Sequence, residues 1–277
     1  MQMTSAAPAD LKSLIVVKIG GGRSINAEGI IRGLARESRP KIFVLGANAM
    51  RDQISDALGR PTKTLTSVSG YQSVYSDADA IDMIMMTYAG LARSRFVELC
   101  QKNHINAIGL SGLDARLIQG SRNRGIRIRQ DGKTLIKRDF SGKPDRINKA
   151  LVHSLLEQGL SPVLSIPIVD ADGFAINADN DNIITALHRE ISVSAVYQFI
   201  EAPGLLENVN DPLSLVEKLK SSQLAQREEL VSARMKRKIL SIRQLFEVGP
   251  TKVVIADGRT ESPYEDARCG RGTVIEV

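Results

Sequence analysis

The chain contains no tryptophan, and all its aromatic residues together make up only 4% of it. Single-stranded nucleic acid is held on stacked aromatic rings, and no recognisable nucleic-acid-binding motif is present, so nucleic acid is the least favoured partner. Only two cysteines occur, Cys100 and Cys269, with no CxxC spacing. A disulfide framework is therefore excluded, and no zinc signature is offered. No apolar run approaches the roughly 20 residues of a membrane span, and Met1–Asp10 lacks the basic start and apolar core of a signal peptide. A cytoplasmic protein that does not enter membranes is the expectation. The three histidines, His104, His153 and His188, suit no metal-site spacing, so no metal held by protein ligands is expected. Around Ser111 there is no GxSxG elbow, which argues against a serine hydrolase.

What remains is an ordinary globular composition: 277 residues, 43% hydrophobic and 25% charged. That length is ample for one large α/β domain or two lobes. The net charge is +6, and its distribution matters more than its size. Between Arg116 and Lys149 eleven basic residues face three acidic ones, a net of +8 in that segment alone. Such a patch calls for an anionic partner: a nucleotide, an acidic protein or nucleic acid.

Short apolar runs alternate with amphipathic stretches, the pattern of an α/β fold. Strands are expected at 14–19, 41–45, 107–110, 163–166, 195–200 and 252–256. A helix is expected over 78–102, where Ile81, Ile84, Met85, Tyr88, Ala92, Phe96 and Leu99 recur at helical spacing. Met83, Met85 and Met86 read as core or subunit-interface packing. The basic segment alternates with period two around Asp131-Gly132, the pattern of a tight β-hairpin. Its Arg127, Arg129, Lys133 and Lys137 fit either a docking surface or a solvated face.

The residues that carry chemistry begin at Val16-Val17-Lys18-Ile19-Gly20-Gly21-Gly22. A strand ends in Lys18 and runs into three glycines, with a helical pattern from about Asn26. Glycines let backbone N–H groups approach phosphate oxygens, and a helix start adds positive potential. The lysine supplies a mobile charge for a phosphoryl group. The Walker pattern GxxxxGK[ST] is absent, because here the lysine precedes the glycines.

The ordered motifs Gly-Leu-Ser-Gly-Leu-Asp (109–114), Asn-Lys-Ala-Leu (148–151), Ile-Asn-Ala-Asp (176–179), Pro-Gly-Leu-Leu (203–206), Arg-Met-Lys-Arg-Lys (234–238), Ala-Asp-Gly-Arg (256–259) and Gly-Arg-Gly-Thr (270–273) accompany that turn. Together they resemble the amino acid kinase family over essentially the whole chain. The resemblance is strongest to the branch that includes acetylglutamate kinase and the kinases of aminoadipate or glutamate attached to an acidic amino-group carrier protein. It implies a three-layer αβα sandwich with a mainly parallel sheet, the carbamate kinase-like fold, in two lobes. Residues 1–174 would form the acceptor lobe, with a basic hairpin at about 116–140, and 175–277 the ATP lobe. It further implies a kinase that uses ATP and Mg2+ to convert a side-chain carboxylate into an acyl-phosphate, working as a homodimer.

The resemblance also assigns roles. Lys18 and Lys238 would flank the transferring phosphoryl group, with Asp179 holding both. Gly20, Gly21, Gly204, Arg234 and Lys236 would bind nucleotide phosphates. Gly46, Ala47, Val74 and Asn177 occupy the acceptor-binding positions, and Arg127, Arg129, Lys133 and Lys137 would dock the carrier.

Several positions depart from the pattern. The family's second glycine turn is His-Gly-Gly, and here it reads Leu45-Gly46-Ala47. The extra methyl of Ala47 is tolerable if its φ stays negative. Val74 replaces the arginine that reads the acceptor carboxylate, a contact worth roughly 1.5–3 kcal/mol, or about ten- to a hundredfold in affinity. Ile200-Glu201 stands where Ser-Asp or Ser-Asn is usual. Two explanations follow: a different acceptor, or a catalytically impaired paralogue serving as a nucleotide- or carrier-binding module.

Overall fold

The computed structural model describes residues 10–66, 68, 72–130, 133–208, 210–230 and 233–277. In chain order the first half comprises β1 (Ile15–Ile19), α1 (Ala27–Leu34), β2 (Lys41–Leu45), α2 (Asn48–Ala57), β3 (Thr64–Thr66), β4 (Gln72–Val74), α3 (Ala78–Ile84), α4 (Arg93–Lys102), β5 (Ala107–Ser111), β6 (Ile118–Arg122), β7 (Ile126–Gln130), β8 (Lys133–Lys137), β9 (Gly142–Ile147) and α5 (Lys149–Glu157). The second half adds β10 (Ser161–Ser165), β11 (Ile168–Val169), β12 (Ala175–Ile176), α6 (Asn180–Ile191), β13 (Ala195–Ile200), β14 (Lys218–Lys220), α7 (Leu224–Leu230), α8 (Ala233–Val248), β15 (Lys252–Asp257), α9 (Pro263–Arg268) and β16 (Thr273–Glu276).

An eight-stranded sheet in the order β14-β16-β15-β13-β1-β2-β10-β5 forms the centre. Its strands are parallel except where β16 runs against β15. Runs such as Ile15-Val16-Val17 and Ile42-Phe43-Val44-Leu45 read as continuous apolar segments because parallel strands are covered on both faces. Helix α1 touches α4 and α9 in one group, and α8 touches α6 and α7 in another. The three-layer arrangement expected from the resemblance is what these contacts build. A smaller sheet, β12-β11-β6-β9, and two hairpins, β3–β4 and β7–β8, stand outside it.

The expected strands all form, most within a residue or two of their expected ends. The helix expected over 78–102 is continuous, but Met85–Ala92 between α3 and α4 has π-helical hydrogen bonding. Met83 is buried, Met85 packs against the core, and Met86 is 47% exposed. Polar side chains start several helices by accepting from a free backbone N–H: Asn26 from Gly29, Asp77 from Ala80 and Asn148 from Leu151.

Candidate active site

Lys18 is the fourth residue of β1, flanked in register by Val44 on β2 and Gln198 on β13. It lies towards the carboxyl ends of the parallel strands, where open α/β sheets gather their ligands. After Ile19 the chain turns through Gly20, Gly21 and Gly22, and the neighbouring strand turns through Gly46 and Ala47. These two turns lie against each other. The Gly20 N–H donates to Phe199 O at 3.0 Å, the Gly46 N–H to Ile19 O at 2.9 Å, and the Ala49 N–H to Gly21 O at 2.9 Å. A Cβ on Gly21 would stand 2.6 Å from Asn48 N, and one on Gly46 would stand 2.7 Å from Gly21 N. Side-chain-free backbone is therefore obligatory at both positions. Ala47 has φ −147°, so its methyl group sits in ordinary backbone geometry, as a negative φ requires.

The first turn of α6 faces this pair of glycine turns. Asn180 Nδ2 donates to Leu45 O at 3.1 Å, and its Oδ1 is buried with no hydrogen-bond partner among the described residues. Asp179 is the N-cap of α6 and accepts from the Asp181 N–H at 3.0 Å. The Lys18 ammonium pairs with Asp181, the two side chains being only 13% and 16% exposed. The carboxylate in contact with Lys18 is thus not the expected Asp179 but Asp181. Asp179 holds an extended conformation (φ −79°, ψ 130°), which turns its carboxylate onto the helix N-terminus. Asp181, two residues later, projects from the helical turn instead. The signal for it was present in the sequence as the second acid of Asp179-Asn-Asp181.

Lys238 on α8 completes the cluster. Burial and the Lys18 charge push its ammonium down from the ordinary 10.5 to about 8, against the opposing pull of Asp181 and Asp179. Burial alone would raise the Asp181 carboxyl, but the Lys18 and Lys238 charges hold it below its ordinary value. Two ammonium groups thus share the space beside one buried carboxylate. Such a site gains from a further anion, because bringing in negative charge relieves the repulsion between the lysines. Lys236 lies half-buried on the same helix, and the side chain of Arg234 lies outside the described residues.

Glu201, one of the departures, has a definite place. Its Oε1 accepts from the Ser24 N–H at 2.9 Å and the Ser24 hydroxyl at 2.5 Å, and a Cβ on Gly22 would collide with it. Those two bonds hold its carboxyl below the ordinary range. The longer acid clasps the far end of the glycine turn to β13. Gly204 packs against Thr273, whose hydroxyl accepts from the Leu205 N–H at 2.8 Å. Gln198, level with Lys18, is 2% exposed, and its Oε1 has no partner among the described residues.

The acceptor positions gather on the neighbouring rim. Asn177 Nδ2 donates to Ser76 Oγ at 3.0 Å, and its backbone N–H donates to Phe140 O at 2.7 Å. Ser76 follows β4 by two residues, so Asn177 and Val74 are brought together through it. Tyr88 on the π-helical segment donates to Asn48 at the second glycine turn. A separate cavity of about 160 Å³ between α2, the β3–β4 hairpin and α3 is lined by Arg51, Thr62, Lys63, Tyr75 and Asp77, and by none of the lysine cluster.

The expected hairpin is β7–β8, and Arg127, Arg129, Lys133 and Lys137 are all exposed on it without ion pairs among the described residues. They do not share one face. Arg127 and Arg129 lie opposite Ile136 and Thr134, whereas Lys133 and Lys137 lie opposite Gln130 and Ile126, on the other side of the ribbon. Residues directly opposite on antiparallel strands project to the same face, so the cations divide two and two. The Val68 N–H donates to Arg127 O at 2.8 Å, which ties that residue to this ribbon.

Among the described residues no group of three or more His, Cys, Asp and Glu is arranged to hold a metal ion, and no helix is long and apolar enough to cross a membrane.

Comparison with known proteins agrees with this geometry. The chain is 37% identical over 268 residues to the [LysW]-aminoadipate kinase of Thermus thermophilus, covering 95% of this chain and 100% of that one. It is 33% identical to the [LysW]-aminoadipate kinase of Deinococcus radiodurans (95% and 91% covered) and 27% identical to an acetylglutamate kinase of Methanopyrus kandleri (94% and 99%). Among solved structures, N-acetylglutamate synthase from Neisseria gonorrhoeae superposes with a TM-score of 0.77 at 18% identity, covering 96% of this chain and 60% of that one. Giardia carbamate kinase superposes at 0.64 and 12%, with 96% and 98% covered. The model of the amino acid kinase family matches residues 13–257, and with the two [LysW]-aminoadipate kinases above 30% identity this places the chain in the amino acid kinase family.

Proposed function

We propose that this protein is an ATP-dependent kinase that phosphorylates the side-chain carboxylate of an amino dicarboxylic acid carried on an acidic amino-group carrier protein. The observation that carries the reading is the buried Lys18–Asp181–Lys238 cluster beside two interlocked glycine turns. Relatives named [LysW]-aminoadipate kinase, matched over nearly the full length of both chains, supply the acceptor class. The impaired-paralogue alternative gains no observation in its favour, since the charged cluster is intact.

The chemistry follows from charge. A carboxylate is ionised at neutral pH and needs no base to attack a phosphoryl group, so catalysis reduces to positioning and charge stabilisation. Lys18 and Lys238 neutralise charge spreading over the transferred group, while Asp181 keeps Lys18 aimed and Asp179 orients the start of α6. The Gly20–Gly21 turn admits phosphate oxygens where any Cβ would exclude them. Arg234, Lys236 and Gly204 belong to the nucleotide side, and Gly46, Ala47, Val74 and Asn177 to the acceptor side. Magnesium arrives on the nucleotide and offsets phosphate charge. The lobes 1–174 and 175–277 divide acceptor from donor, although β1 of the first lobe lies beside β13 of the second.

The carrier docks on the β7–β8 ribbon through one of its two cationic faces. Incubation with ATP, magnesium and hydroxylamine tests the reading: hydroxamate should form with carrier-linked acceptor, and folded, ATP-binding protein that yields none with any dicarboxylate would end it. Of two charge reversals, Lys133 and Lys137 to Glu or Arg127 and Arg129 to Glu, one should weaken carrier binding and the other leave it unchanged. Whichever pair acts alone identifies the docking face. The Ala78–Lys102 helix, with Met86 47% and Leu91 43% exposed, is the proposed homodimer face. Met86→Glu with Leu91→Glu should halve the mass seen by light scattering.

A further inference from the structure

The loss of arginine at Val74 leaves the acceptor side without the group that reads a carboxylate in the family it resembles. One arginine in the same neighbourhood is built for that task. Arg122 ends β6, and its guanidinium lies 4.7 Å from the centre of the Phe140 ring and 5.3 Å from that of Phe174. Its Nε donates to Asp170 Oδ2 at 2.5 Å. Asp170 is itself only 4% exposed and accepts from the Phe174 N–H at 2.7 Å through its other oxygen. The plane of Arg122 is therefore fixed from two ring faces and one edge. Its two terminal nitrogens have no partner among the described residues, and the side chain is 36% exposed.

A guanidinium held in this way offers two parallel N–H donors that match the two oxygens of a carboxylate, with little side-chain freedom left to lose. The nearby Arg116 differs: its Nη2 is already spent on two carbonyls, Asp170 O and Ala171 O, at 3.1 and 3.2 Å. The backbone also links Arg122 to the acceptor rim. The Phe140 N–H donates to Ser76 O at 2.8 Å, and Phe140 O accepts from Asn177. The residue on which Arg122 stacks is thus bonded to both segments that define the acceptor positions.

We infer that Arg122 is a carboxylate anchor of the acceptor site, taking over recognition that Val74 no longer provides. This rests on the proposed kinase reading for the identity of the acceptor, but not for the existence of the anchor. The test compares wild type, Arg122→Lys, and Arg122→Lys with Val74→Arg. Lysine keeps a cation for Asp170 and so preserves the fold, which a thermal melt checks, but it loses the fork. With carrier-linked aminoadipate, Arg122→Lys should raise the acceptor KM about ten- to a hundredfold, the worth of a charge-assisted pair, while the ATP KM holds. Val74→Arg should restore much of that loss. An acceptor KM that does not move overturns the assignment. If wild type phosphorylates no acceptor, calorimetric titration with N-acetylglutamate decides independently. Binding that weakens in Arg122→Lys keeps the anchor and removes the kinase reading, whereas binding that is absent or unchanged overturns the anchor.

Discussion

The proposed donor and acceptor sides of the site are built from similar parts and differ in how tightly their neighbours constrain them. On the donor side, Lys18, Asp181 and Lys238 sit in a water-poor cluster where each charge is set by the others. Gly20 and Gly21 each have backbone 2.6 Å from any added Cβ. On the proposed acceptor side, Val74 is half-buried on the three-residue β4 and Arg122 is exposed at the end of β6. Substitution is therefore costly on the first side and available to change specificity on the second. The family motifs are kept around Lys18 and Lys238, while departures fall at Leu45, Ala47 and Val74 on the proposed acceptor side and at Ile200 and Glu201 beside the first glycine turn.

The sharpest way to break this comparison is Lys18→Ala. Removing one preorganised stabilising charge should lower kcat about a hundred- to a thousandfold. A hydroxamate assay that finds less than a tenfold loss would put the chemistry elsewhere. In the Arg122→Lys background, Val74→Arg should act in the opposite sense on the acceptor side, tightening N-acetylglutamate about ten- to a hundredfold by calorimetry.

Next in size is a pH effect confined to the donor side. Because the Lys238 ammonium is pushed down to about 8, it is charged below that pH and neutral above it. The kcat/KM for ATP should fall about tenfold for each pH unit above 8, since that profile reports the free enzyme. Lys238→Arg should remove that limb, because guanidinium stays charged.

Gly21→Ala should cost about 1–3 kcal/mol of stability by overpacking and raise the ATP KM, whereas Ala47→Gly should barely change the melting temperature. The smallest effect on the site lies outside both sides. Glu37 bonds to Arg39 and Tyr264, and these bonds hold its carboxyl down from 4.5 to about 2, against the opposing effect of burial. Its lowered value contributes stability that is present above pH 4.5 and lost as pH falls through 2. Glu37→Gln should flatten acid unfolding over that window and leave ATP binding untouched.

Much of this was legible in the residues. The apolar runs of β1, β2 and β13 are long and continuous because both faces are covered, so their place in a parallel sheet showed directly. Lys18 and the first glycine turn showed in the residues themselves, whereas the second turn, Leu45-Gly46-Ala47, showed only through the family resemblance. Short edge elements such as β14 and β16 carried too few residues for a pattern. The π-helical turn at Met85–Ala92 leaves no periodic trace, since it shifts hydrogen bonds by one residue without altering which side chains are apolar. The split of the basic ribbon was hidden for a different reason: alternation within each strand is visible, but which face pairs with which depends on register across the turn.

The sequence alone determined that a lysine-glycine cradle opens a parallel α/β sheet, and the family resemblance implied that Val74 stands where an acceptor-reading arginine is usual. Only the tertiary structure decided that Lys18 meets Asp181 rather than Asp179. A capping residue spends its carboxylate on its own helix, while the next acid along the turn is free to reach the neighbouring strand. Tertiary structure likewise brought Arg122 beside Phe140 and Phe174, residues 18 and 52 positions away. A contact of that kind depends on how β6, β9 and the Asp170–Phe174 turn are folded together, and no local pattern encodes it.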